Sequence, residues 1–482
     1  MVITRQPRTP LERSARSTRY NAGVPDSQTY PQFLERRLGP LDAAAIVISN
    51  VIGVGIFITP RIIAYAVPHP IGFLAVWLGG GLLAFAGAMA YAELGSLRPR
   101  SGGEYVYLRE GFGPLAAFLT GWTSFVAGFA GAIAASALAA ADYLGRFVPV
   151  AGDATPLFTI PIPWRPLVFS PRTLVALTAI VALALIHIRG LGPGRLVQNT
   201  LAAVKVGALA LFVAIGIGFG RGSFSHLSSV PAEASFNWPL AFIVVMFSYS
   251  GWNAASYVAE EIRDPGRNVP KALALGTVAV VLLYLGLNLA YLYAVPIGEF
   301  GASEQSEIAM VAAERLLGPV AAQLLGGLVV VVLLGSLSAM TIAGPRVYFA
   351  MARDGAFFRG AARIHPRFHT PWVAIVAQTL WSALLILSNT KDQLAELTGF
   401  AVLLFSAVAV SVIFVLRRRH PDEPRPFKAW GYPVAPAIFV LASLVIMVAA
   451  IAGRPGPSLW GALIILAGIP VYYLFARRSR AR

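Results

Sequence analysis

The chain has 482 residues, of which 57% are hydrophobic and only 12% charged, and its formal net charge is +16. Soluble domains are about 25% charged, so an ordinary soluble enzyme and a disordered chain are both excluded. The lack of cysteine rules out a disulfide-linked partner subunit, a thiolate nucleophile and cysteine-held metal centres.

Residues 1–39 are polar and Arg-rich and contain no long apolar run. A cleaved secretory signal is not expected, and the segment reads as a disordered basic tail. Apolar runs follow at about 41–67, 71–97, 114–145, 173–191, 196–219, 238–259, 269–295, 319–350, 371–388, 394–416, 433–452 and 458–476. A membrane helix needs about 20 apolar residues, so these are twelve candidate spans in one all-α polytopic protein. An even number places both termini on one side.

The positive-inside rule tests that count. With both ends inside, the inside segments hold 28 Lys and Arg and the outside segments hold 7. The bias explains the basic charge without nucleic acid. It orients the chain in a plasma (inner) membrane with both termini cytoplasmic. The outside segment 296–318 carries Glu299, Glu304, Glu307 and Glu314. Its end, Ser306–Leu317, reads as a short surface helix, part of a solvated loop or of a gate.

Two spans are interrupted at matching depths. Gly53 and Gly55 fall inside the first, with Pro60 behind them, and Gly251 falls as far into the sixth, with Ser250 and Asn253 alongside. Glycine and proline are the costliest helix-interior residues, and lipid cannot satisfy the backbone groups that a break frees. Such breaks at corresponding places in two halves point to a transporter site. Spans 1–5 and 6–10 form the expected repeats, about 40–220 and 237–416, inserted with opposite orientation. Two further helices (417–476) and a basic tail (477–482) follow. Freed N–H groups at a half-helix N-terminus suit a carboxylate, and freed carbonyls at a C-terminus suit an ammonium. An α-amino acid carries both.

At these residues the sequence resembles the amino acid–polyamine–organocation superfamily, and within it the L-type amino acid transporter family. Ile52–Phe57 is similar to that family's first-helix signature. Phe247–Leu273 is similar to its sixth helix and following loop. Ala92–Leu94 with Pro99–Tyr105, and Tyr348–Gly355, resemble its loop after the second span and its eighth-span end. The resemblance implies a five-plus-five inverted-repeat transporter of amino acids; separately, no cofactor and a monomer are expected. It implies that substrate carboxylates meet the backbone at Gly53, Val54 and Gly55. It also implies that amino groups meet carbonyls at Val51, Ile52, Phe247 and Ser250, with Phe247 gating the bound molecule. Val54 departs from the Ser or Ala common at that position, which removes a hydroxyl. Gly251, Trp252 and Asn253 complete the candidate lining.

Lys205 lies ten residues past Arg195, about 15 Å along a helix, near the bilayer midplane. A central lysine costs about 2.5–3.5 kcal/mol on insertion scales and so marks function. In sodium-independent relatives a fifth-span lysine stands in the place of sodium. Lys205 is therefore expected to donate to carbonyls near Val51 and Ile52, as a fixed strut or a proton shuttle.

Other polar groups read as structural. Asp42 starts a helix, and Glu93 and Glu104 belong to loop and gate structure. Glu260 and Glu261 pair with Arg263 or Arg267, while Arg346 and His187 sit near interfaces. No charge is evident around the two breaks, so neutral amino acids are the expected substrates. A cationic amino acid or polyamine transporter is the nearest alternative. A non-transporting amino-acid sensor would carry a large soluble domain, an enzyme clustered acids and histidines, and a channel carboxylate rings.

The position of Lys205 predicts sodium independence. Uptake of labelled amino acid into liposomes should be unchanged when choline replaces sodium, and a strict sodium requirement would remove that role.

Overall fold

The structure, a computed structural model, describes residues 33–163, 165–229, 235–300, 307–389, 391–453 and 455–480. It is helical almost throughout. Among the described residues the sheet content is one antiparallel hairpin, Phe158–Ile160 with Leu167–Phe169, and a bridge from Leu38 to Ile262. Seven helices are long and apolar enough to cross a bilayer, and the bent pair Pro40–Val51 and Gly55–Ala66 makes an eighth. Shorter apolar helices include Trp238–Ser248 and Trp372–Ser388. The chain is a polytopic helical membrane protein.

Proline marks where these helices begin. Pro40, Pro70, Pro114, Pro171, Pro265 and Pro319 each stand in a first turn, where a missing N–H costs nothing. The fifth span starts at Leu191, earlier than its apolar run, so Arg195 lies inside the helix. The surface helix after the seventh span is Ile308–Leu317, and residues 301–306 lie outside the described residues.

Packing is organised around the two broken spans. Helix Pro40–Val51 packs on Pro265–Ala294, and Trp238–Ser248 packs on both Gly55–Ala66 and Pro70–Leu97. Helices Pro70–Leu97 and Pro265–Ala294 pack along each other, and Pro319–Arg353 packs on Phe129–Leu144. Small residues allow the close approach. A Cβ at Gly276 would sit 2.7 Å from Val47, and one at Gly80 would sit 2.7 Å from Val245.

The end of the bundle that bears the N-terminus is closed by charged pairs. Arg346 meets Glu261 through two hydrogen bonds at 2.8 and 3.0 Å, with both side chains almost fully buried. Arg353 meets Glu260 at 2.9 Å. The partners therefore differ from the expected Arg263 and Arg267, and Arg346 is buried rather than interfacial. The reason is geometric: past the break, the sixth span ends in short turns that direct both carboxylates at the eighth span.

Residues 33–39 are likewise not a disordered tail. The Leu34 amide donates to Glu260 Oε1 at 3.1 Å. The Leu38 amide donates to the Glu261 carbonyl at 2.9 Å, and the Leu38 carbonyl accepts from the Arg263 amide. Residues 1–32, the rest of the expected tail, lie outside the described residues, as do 481–482. Nearby, Glu93 accepts from Arg417 at 2.6 and 2.9 Å and from the Ala429 amide at 2.7 Å. Arg98 ties Glu110 to Glu423 and holds the Glu423 carboxyl below its ordinary value.

Removing one partner of a buried pair costs about 3–5 kcal/mol, because the other charge is left alone. Arg346→Ala should therefore lower the thermal midpoint in detergent clearly, and Arg346→Ala with Glu261→Ala should recover part of the loss. Equal midpoints for wild type and Arg346→Ala would contradict this reading of the pair.

Candidate functional site

The first span stops at Val51 and restarts at Gly55, with the halves bent by 49°. Gly53 and Val54 stand between them, and their N–H groups make no backbone hydrogen bond among the described residues. The sixth span stops at Ser248 and restarts at Ala254. Gly251 turns the chain there with φ of +101°, a conformation that glycine adopts without cost. The amides of Gly251, Trp252 and Asn253 are equally free of backbone partners.

Side chains hold the two breaks together. Asn50 Nδ2 donates to the Gly251 carbonyl at 3.4 Å, and Thr59 Oγ1 lies 2.6 Å from Ser248 Oγ. The Tyr284 hydroxyl reaches the Val51 carbonyl at 3.1 Å and the Ser248 carbonyl at 3.2 Å. Gly55 permits this approach, since a Cβ there would stand 3.1 Å from Ser248 Cα.

Lys205 is fully buried. Its Nζ donates to the Ile52 carbonyl at 2.7 Å and the Ser49 carbonyl at 3.2 Å. Ile52 was the expected acceptor; Ser49 takes the place of Val51, whose carbonyl goes to Tyr284. The amine satisfies carbonyls at the end of helix Pro40–Val51, where the helix dipole favours positive charge. A Cβ on Gly335 would lie 3.2 Å from Lys205 Nζ, so the eighth span leaves room for the lysine by having no side chain there.

A cavity of about 170 Å3 opens at the breaks. Val51, Gly53, Val54, Gly55, Phe247, Ser250, Gly251 and Asn253 all line it. Ile52 and Trp252 do not. The Ile52 side chain is in the core, and its carbonyl faces Lys205. Trp252 is clasped between the rings of Tyr91 and Phe439, at centroid distances of 4.9 and 5.5 Å, so it is a packing residue. Phe247 is 37% exposed, as a side chain bordering an opening would be.

The third span adds Thr120, Thr123, Ser124 and Gly128 to the lining. Ser124–Gly128 is a π-helical turn, a feature frequent at functional sites. It redirects the carbonyls of Ser124 and Val126, which accept from the Tyr348 hydroxyl and Trp381 Nε1.

One expectation fails. The cavity is not free of ionisable groups, because Glu104 lines it. Glu104 starts the short helix Glu104–Phe112 between the second and third spans. Burial pushes its carboxyl up from its ordinary value, against hydrogen bonds that pull it down. Glycines at 102 and 103 with positive φ tuck it inward. Its Oε1 accepts from the Tyr91 hydroxyl at 2.7 Å, Asn253 Nδ2 at 2.8 Å and the Ser406 hydroxyl at 3.3 Å.

Of the groups read as structural, Asp42 caps its helix through the Gly39 amide at 2.8 Å. His187 is buried against the Ser338 hydroxyl at 2.9 Å, rather than at an interface. Tyr284, Gly335 and Glu104 were not picked out as site residues. Only Glu104 carried a usable signal, as an acid in a Gly-Gly turn beside a span.

The amino acid permease family model matches residues 38–475. The chain belongs to the amino acid permease family. It is a transporter rather than an enzyme. It is 31% identical to the mouse large neutral amino acids transporter small subunit 2, over 96% of this chain and 87% of that protein. It is 28% identical to the serine/threonine exchanger of Bacillus subtilis, over 92% and 98%. It is 29% identical to the human cystine/glutamate transporter, over 92% and 85%.

Replacing Gly251 forces a side chain into a positive-φ position, where strain costs about 1–3 kcal/mol, and places a Cβ 2.9 Å from the Asn50 carbonyl oxygen. Gly251→Ala and Gly55→Leu should each lower uptake per folded molecule at least about tenfold, one factor of ten being about 1.4 kcal/mol. Gly53→Ala meets only Ser336 Oγ at 3.4 Å and should be the mildest of the three. Normal transport by Gly55→Leu would remove the broken-helix site.

Proposed function

We propose that this chain is a sodium-independent secondary transporter moving neutral L-amino acids across the plasma membrane by alternating access. The observation that carries this reading is the meeting of two helix breaks at one cavity. Free amides at Gly53, Val54 and Gly55 offer a carboxylate site at the start of helix Gly55–Ala66. The carbonyls of Val51 and Ile52 each keep a second lone pair for an ammonium, beside those of Phe247 and Ser250. Phe247 closes over the bound molecule.

The reading includes twelve spans, with repeats at about 40–220 and 237–416 and two helices after them. The packing supports it. The first half of the broken first span lies on the seventh span, and the first half of the sixth lies on the second, as an exchange of repeats requires. With both termini cytoplasmic, the ion pairs of Glu260 and Glu261 close the cytoplasmic end. Lys205 stands between the first and eighth spans, as a fixed strut or a proton shuttle, in a place where sodium would otherwise be needed. The names of the mouse and Bacillus relatives, for large neutral amino acids and for serine and threonine, agree with a neutral substrate. Glu104 in the lining gives a second reading, a cationic amino acid, its specific support. Three donors already converge on that carboxylate, which keeps the neutral reading ahead.

The test is uptake of labelled alanine and leucine into liposomes holding the purified chain. Uptake only with unlabelled amino acid inside identifies an exchanger, with Lys205 a strut. Uptake into empty liposomes, raised by an inward proton gradient, identifies a proton symporter. No uptake in either case overturns the neutral reading.

A further inference from the structure

Asn253 has two amide hydrogens, and both are committed. Nδ2 donates to Glu104 Oε1 at 2.8 Å and to the Tyr257 hydroxyl at 3.1 Å. A primary amide has one NH2 group and one acceptor oxygen. Asn253 lines the cavity, so Oδ1 is the polar atom it has left for a ligand. The amide is not free to turn round. Glu104 Oε1 already accepts from the hydroxyls of Tyr91 and Ser406, and a reversed amide would set Oδ1 against that same oxygen, acceptor against acceptor.

Thr120 and Thr123 stand beside the same cavity, but their hydroxyls are shut off from it and have no hydrogen-bond partner among the described residues. Glu104 forms no ion pair among the described residues, so its polar role is to accept from the side chains around it, Tyr91, Asn253, Ser406 and Tyr257.

We propose that Glu104 is a specificity-determining positioning residue. It locks the Asn253 amide with Oδ1 toward the cavity, and the site therefore selects amino acids whose side chain donates a hydrogen bond, serine and threonine, over hydrocarbon side chains of the same size. The proposal rests on the reading of this cavity as an amino acid site. Threonine and valine are the informative pair, being nearly equal in shape and differing in the hydroxyl. A site built to bond a hydroxyl rejects the analogue that lacks it.

The experiment is competition of labelled alanine uptake by unlabelled threonine, valine and lysine in liposomes, for wild type, Glu104→Gln and Glu104→Asp. Ratios within one variant do not depend on how much of it folds. Threonine should compete at least about tenfold better than valine in wild type. Glu104→Gln, whose own NH2 can face Oδ1 and let the amide reverse, should bring that ratio close to one, and Glu104→Asp should restore most of it. An unchanged ratio in Glu104→Gln, or no threonine preference in wild type, overturns the proposal. Lysine as the best competitor of wild type, lost in Glu104→Gln, overturns it in favour of a counter-charge role. If Glu104→Gln does not transport, stabilisation of the purified protein against heat by threonine and by valine is compared with the same criterion. Absence of alanine uptake by wild type sinks the neutral-substrate reading; the thermal comparison then still decides the threonine preference.

Discussion

A helix broken inside a bilayer leaves polar backbone groups where no water can reach them, and this structure is arranged around two such breaks. The first break leaves carbonyls at Ser49, Val51 and Ile52, and the protein answers each with a side chain. Lys205 takes Ser49 and Ile52, and Tyr284 takes Val51. Tyr284 also reaches Ser248 in the second break, so one hydroxyl serves both halves. The amides on the other side of each break have no backbone partner among the described residues. That asymmetry sets the chemistry of the cavity: the carbonyls of the first break keep only their second lone pairs, while the amides keep their full donor capacity.

The same constraint accounts for the small residues. Two interrupted helices can share hydrogen bonds only if their backbones nearly touch. Gly55 faces Ser248, and Gly251 faces Asn50. A third glycine, Gly335, gives up its side chain so that Lys205 fits between the first and eighth spans. These are three separate steric reasons, and in each the neighbour is a group that also bonds across the site.

Legibility in the sequence followed physical locality. Glycine at membrane depth, a lone lysine ten residues into a span and the alternation of basic loops are local signals, and they located the breaks and Lys205. Partners distant in sequence left no local trace. Glu261 is 85 residues from Arg346, and Glu260 is 93 from Arg353, so nearby arginines were the natural assignment. The π turn at Ser124–Gly128 leaves the composition of its span unchanged, and nothing in the spacing marks it. Glu104 lies in a polar loop by sequence, yet two positive-φ glycines and the Tyr91 hydroxyl bring it into the cavity. Trp252 was misplaced for the opposite reason: it lies inside a break, but the turn at Gly251 points it back into the core.

The two ends of the site differ in what would have to move. On the side of residues 33–39, Glu260 and Glu261 at the end of the sixth span are held by Arg353, Arg346 and the Leu34–Leu38 backbone. Opening that side means separating a buried bidentate pair, which is costly unless water enters with the motion. Near the cavity, the contacts that line the opening are an aromatic ring at Phe247 and small polar side chains, which move at far lower cost. The free amides precede the half-helices Gly55–Ala66 and Ala254–Tyr257, so a ligand bridging them would draw those two together. The Thr59–Ser248 contact ties Gly55–Ala66 to Trp238–Ser248, so a shift of the first of these would be carried across to the second half-helix.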